Sequence, residues 1–131
     1  MPIATGSFDA MIEELSAQQL PGKNTWGLSF RREFFGDVCG VSEGWIIGSG
    51  TPPVHGNTSS GHVGIEEFSG TIAGRNGSFA FQHWVSAIRG KEFSRIEVVP
   101  GSGTDQLKKI KGVLTLIVKP NAASYNFDYE L

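Results

Sequence analysis

Four ionisable side chains interrupt strongly apolar stretches of this sequence: Arg32, Glu43, Glu66 and His83. Glu66 and His83 are the types used for general acid–base work. An apolar site raises a carboxyl pKa and lowers an imidazole pKa, moving both toward neutrality. The same two residues would also make an ordinary structural hydrogen bond, because buried polar groups must be paired. Arg32 and Glu43 are the types that hold the polar end of a ligand, arginine through its bidentate fork. They would equally satisfy one another as an ion pair, tolerable in a core only while both partners are present. The residues alone leave both alternatives open.

Other reactive types are sparse. The single cysteine, Cys39, excludes an internal disulfide and a cysteine-rich zinc site. It reads as a small apolar residue on an inward face. His55 and His62 flank a Gly/Ser-rich loop with no carboxylate or cysteine nearby in sequence, which reads as a surface loop and not a metal site; no metal and no other cofactor is expected. Gly101-Ser102-Gly103-Thr104 precedes a helical pattern but lacks the lysine and the spacing of a phosphate-binding loop. Asn57-Thr58-Ser59 matches a glycosylation sequon with no secretion signal to give it meaning.

The elements that must position these groups are short apolar runs, each ended by Gly, Pro, Asn or Asp. Eight strands are expected: Ile3–Ile12, Thr25–Phe35, Val38–Gly48, His62–Ile72, Ser78–Ile88, Phe93–Val99, Gly112–Val118 and Ser124–Glu130. Turns are read at Gly36-Asp37, at Gly74-Arg75-Asn76-Gly77, at Gly90-Lys91 and over Lys119 to Ala123. Asp9 to Leu20 fits a helix as well as a strand, and the strand is preferred. Thr104 to Ile110 reads as a short helix, with Thr104 as N-cap and lysines in its last turn. The loop Ser49–Gly61 is polar, long and carries Pro52-Pro53. An even number of up-and-down strands closes naturally into a barrel, which removes exposed edges.

Parity then assigns faces. Across a two- or four-residue hairpin loop, facing residues have numbers of odd sum. Around Asn76-Gly77 the inward face collects Glu66, Phe68, Ile72, Phe79, Phe81, His83 and Val85. Around Gly36-Asp37 it collects Trp26, Leu28, Phe30, Arg32 and Phe34 with Cys39, Val41, Glu43, Trp45 and Ile47. Around Gly90-Lys91 it collects Val85, Ser94, Ile96 and Val98. The expected interior is a ring of aromatics holding the four ionisable groups. A small barrel of eight strands has room for packed side chains or about one small ligand.

The 131 residues are 39% hydrophobic and 18% charged, which fits one folded domain over the whole chain. A net charge of −2 argues against non-specific nucleic-acid binding. No apolar run is long enough to span a membrane as a helix. Met1 to Phe8 has neither a basic start nor an apolar stretch, so a cytoplasmic location without a signal peptide is expected.

Two longer stretches, Val63–His83 (VGIEEFSGTIAGRNGSFAFQH) and Val98–Gly112 (VVPGSGTDQLKKIKG), resemble the signatures of domain-of-unknown-function family 3224. The ending Tyr125–Leu131 and the hairpin start Phe34–Val38 fit the same family, and the resemblance runs from about Phe8 to Leu131. It implies a bacterial, calycin-like barrel of the allene oxide cyclase-like kind. It implies no activity, because the family is uncharacterised. Similar barrels guide cyclisation or coupling of apolar reactive molecules, an analogy of fold alone.

Three functions from different classes follow. The first is binding of a small apolar molecule in the barrel, with Arg32 and Glu43 at its polar end and Trp26, Phe30, Trp45, Phe68 and Phe81 around it. The second is a cyclase or isomerase with Glu66 and His83 as proton donor and acceptor. The third is a structural or interaction protein with a solid core. Trp84, with Ile65, Ile88, Phe93 and Val99, falls on the outer face, which predicts a homo-oligomer, dimer or trimer.

Overall fold

A computed structural model describes residues 2–16, 20, 22, 24–51 and 59–131. Eight strands form in chain order: β1 (Ile3–Glu14), β2 (Thr25–Gly36), β3 (Val38–Gly50), β4 (Ser60–Ile72), β5 (Arg75–Ile88), β6 (Lys91–Val98), β7 (Lys111–Lys119) and β8 (Ala122–Glu130). Each pairs antiparallel with its neighbours, and β8 returns to β1, so the sheet is a closed up-and-down barrel. Asp9 to Glu14 continues β1, so the strand reading holds that far, and Ala17 to Gln19 of the same stretch lie outside the described residues. His55, Pro52-Pro53 and the Asn57-Thr58 part of the sequon lie outside the described residues.

Two hairpins turn one or two residues away from the expected places. Between β4 and β5, Ile72 faces Arg75, so the turn is Ala73-Gly74 and Asn76-Gly77 lies in the strand. Between β5 and β6, Ile88 faces Lys91 across Arg89-Gly90. All four turn residues have positive φ, at 48° and 83°, then 50° and 83°, the primed geometry that suits twisted strands. Because the sums stay odd, the predicted faces of β4, β5 and β6 are unchanged.

The hairpin between β2 and β3 corrects the expectation. Phe34 faces Gly40, an even sum, so the turn holds one residue more than a two-residue loop. Gly36 sits at φ 103°, and the Asp37 carboxylate accepts the Thr5 N–H at 2.9 Å, which ties the turn to β1. One extra residue flips every side chain of β3. Cys39, Glu43, Trp45 and Ile47 therefore point outward and are exposed, not inward as the sequence predicted. The inner face of β3 is Val38, Gly40, Ser42, Gly44, Ile46 and Gly48. Neighbouring rings fill the space: a Cβ on Gly40 would lie 3.0 Å from Phe68, on Gly44 2.7 Å from Phe30 and on Gly48 2.5 Å from Trp26.

One end of the barrel is solid. Phe34, Phe68, Phe79, Phe81, Tyr125 and Phe127 pack ring to ring with centroids 5.0–6.0 Å apart, mostly edge to face. The Tyr125 hydroxyl accepts the Val38 N–H at 2.9 Å and donates to Phe35 O at 2.8 Å, fixing the β2–β3 turn. The expected helix over Thr104 to Ile110 is only a 3-10 turn, Asp105–Leu107. Its purpose is to insert Leu107 and Ile110, both buried, as a plug. Thr104 holds the N-cap position as expected, but its hydroxyl makes no capping hydrogen bond and instead accepts the Ser78 N–H of β5 at 3.0 Å.

Candidate functional site

The other end of the barrel holds the polar groups. Arg32, Ser42, Glu66 and His83 come from four consecutive strands, β2 to β5. Arg32 stands opposite Ser42, Glu66 opposite Gly44 and His83 opposite Gly64. Glu66 is 0% exposed and is the centre of the group. Its Oε1 accepts hydrogen bonds from Arg32 Nη1 and from His83 Nε2, the latter at 2.8 Å, and its Oε2 accepts from the Ser42 hydroxyl. Burial pushes the Glu66 carboxyl pKa up. The His83 hydrogen bond, the Arg32 charge and the Ser42 hydroxyl outweigh that effect, so the carboxyl sits below its ordinary value and is ionised. Arg32 in turn lies over the rings of Phe30 and Phe8, at 4.7 and 5.6 Å from their centroids.

Arg32 is the member of this cluster that faces the mouth. Its side chain is 13% exposed, and it lines a 490 Å³ pocket together with Phe8, Ala10, Ile12, Leu116 and Val118 and with the polar Asp9, Lys119 and Asn121. Ile12 and Val118 are oriented inward by register yet are 54% and 74% exposed. The wall beside them is incomplete. β6 and β7 pair only through Ile96 with Leu114 and Glu97 with Val113, and nearer the mouth the two strands have no rungs between them.

Toward the mouth on the other side of the barrel, on β2 and β4, stand Trp26 and His62, whose rings meet edge to face at 5.6 Å. The Trp26 indole donates to Gly50 O at 3.0 Å. His62 lies on β4, as its expected strand had it, half-buried, with its Nδ1 buried and unpartnered, the one such atom among the described residues. Burial, and secondarily the nearby His83, lower its pKa and favour the neutral ring.

Of the predicted site residues, the structure brings Arg32, Glu66 and His83 together and adds Ser42. Glu43 is not Arg32's partner; it pairs across the outer surface with Arg31 at 3.7 Å. Trp26 and Phe30 line the open half. Phe68 and Phe81 belong to the solid half, and Trp45 is outside. Among the described residues, no three His, Cys, Asp or Glu side chains are placed to hold a metal ion, and no helix is long and apolar enough to cross a membrane.

The sequence profile of a protein family of unknown function, DUF3224, matches residues 4–129. The chain belongs to the DUF3224 family. A crystal structure of a DUF3224 protein of unknown function from Shewanella oneidensis MR-1 superposes on this barrel with a TM-score of 0.87 at 28% identity. The match covers 100% of this chain and 98% of that one, so the DUF3224 barrel extends from β1 to β8 in both. Among curated proteins none matches.

Proposed function

We propose that this DUF3224 protein binds a small, largely apolar molecule in the open half of its barrel, with a carbonyl or carboxylate head against Arg32. The observation that carries the reading is a nearly buried guanidinium lining a largely apolar, solvent-reached pocket. Its 490 Å³ is within the usual range for small-molecule sites, roughly 300–1,000 Å³. Arg32 uses Nη1 on Glu66, and a guanidinium has further N–H donors to offer an acceptor. Glu66, Ser42 and His83 fix the guanidinium from behind, as a supporting shell should. The gap between β6 and β7 gives a long ligand a second way out of the mouth.

Binding is favoured over proton transfer by Glu66 for two reasons. The carboxylate is fully covered by protein, and it is held in the ionised form, which has no proton to donate. Glu66 is on this reading a positioning residue that acts through Arg32.

Native mass spectrometry of the protein purified from its own cells tests the reading. A small molecule that departs on unfolding is expected, and it should be lost from an R32M/E66L variant, in which both charges of the buried pair are removed together. Retention of the molecule by that variant, or bare wild-type protein that also fails to take up octanoate or another apolar carboxylate, overturns it.

A further inference from the structure

The exposed apolar side chains fall largely into two groups. One is at the mouth. The other is on the outer face of β3, β4 and β5, far from the ligand pocket: Trp45, Ile47, Val63, Ile65 and Trp84, from 38% to 57% exposed. They line a 780 Å³ groove whose edge is Arg95 and Glu97 of β6. The register arranges them in two adjacent rows across the sheet. Trp45, Ile65, Gln82 and Glu97 form one row; Ile47, Val63, Trp84 and Arg95 form the next. Together they present on the order of 500 Å² of apolar surface, as large as the biggest patch of a typical monomer. With the polar rows on either side, the face approaches the roughly 800 Å² per partner of a stable interface.

We propose that this face binds a second copy of the chain about a two-fold axis that crosses the strands between the two rows. Such an axis lays each row on the other. Trp45 then faces the partner's Ile47, Ile65 faces the partner's Val63, and Trp84 faces the partner's Gln82. Arg95 faces the partner's Glu97 and Glu97 faces the partner's Arg95, so the two charges of the in-chain pair, 3.0 Å apart, also make two reciprocal pairs across the interface. The next row toward the solid end holds two acids directly opposite one another, Glu43 and Glu67. The same axis sets them over the partner's Ser49 and Gly61, away from other acids. The alternative axis, running along β4, would set Glu67 on the partner's Glu67, a like-charge contact that disfavours it. Charge thus selects the crossing axis. Two sheets packed this way align within about 30°. Both mouths stay open, facing opposite ways.

Sedimentation velocity across a concentration series tests this, with the variants I65D, R95E and E97R. The wild type is expected at twice 14.1 kDa and I65D at 14.1 kDa. R95E and E97R alone should each weaken the dimer about tenfold or more, through like charges facing across the interface. An equimolar mixture of the two should restore it, since each supplies the charge the other lacks. A wild-type monomer at about 100 µM, a dimer that I65D leaves intact, or a mixture no tighter than its components overturns the proposal.

Discussion

The two halves of this barrel use the same strands for opposite ends. Toward the β2–β3 and β4–β5 turns the inward residues are aromatic, every ring has ring neighbours, and Leu107 and Ile110 close the end. Toward the other end the same strands carry arginine, serine, glutamate and histidine with a second, smaller buried cluster of Leu28, Phe30 and Ile46, while on β1 and β7 water reaches Ile12 and Val118. The solid half supplies cohesion. The open half spends some of it on a buried charge pair and an incomplete wall. Stability and binding are thereby separated along the barrel axis, with the Glu66 cluster as the boundary.

The sharpest way to break this division is to truncate one side chain in each half. Phe81→Ala should cost about 3–5 kcal/mol, the usual range for a buried phenylalanine. Val118→Ser should stay within about 0.5 kcal/mol, as for surface changes. Chemical denaturation measures both, and equal effects would erase the distinction. At the boundary, Glu66→Gln keeps the shape but removes the charge from beneath Arg32. A loss of about 1–3 kcal/mol is expected, and R32M/E66L should recover most of it.

A smaller effect comes from pH. The Glu66 pKa is lowered on folding, so its contribution is present above the ordinary value of 4.5 and is lost as pH falls through the lower folded value. The His62 pKa is also lowered, so the unfolded chain takes up its proton first, and stability drops as pH falls below the ordinary 6.5. The melting temperature should therefore decline in two stages on acidification. His62→Gln should flatten the upper stage alone and Glu66→Gln the lower; a profile unchanged in both variants would show that these groups do not sense folding.

Much of this was legible in the residues. Glu66 and His83 share a face with Phe68 and Phe81 because both possible turns near Asn76 have an odd sum. Arg32 is inward because β2 alternates cleanly. The failure came at one place, the turn at Gly36-Asp37. Its extra residue is fixed by contacts with Thr5 and Tyr125, distant in sequence and invisible to local turn rules. The outer face of β3, with Trp45 and Ile47, is more apolar than its glycine-rich inner face, so hydrophobicity pointed the wrong way too. The three glycines Gly40, Gly44 and Gly48, at spacing four, were the available signal: they mark where rings from neighbouring strands lie against the backbone. Ser42 and His62 were missed for related reasons. Ser42 depended on the flipped face, and His62 was the first residue of its expected strand, beside a polar loop, whereas β4 starts two residues before it.

The most direct test of the central claim is an amide NMR titration with octanoate, an apolar chain with a carboxylate head. The account predicts saturable shifts at Ala10, Arg32, Leu116 and Val118, with Phe79 and Phe127 in the solid half unmoved. Shifts confined to the outer face around Trp45 and Trp84, or spread equally through both halves, would contradict it.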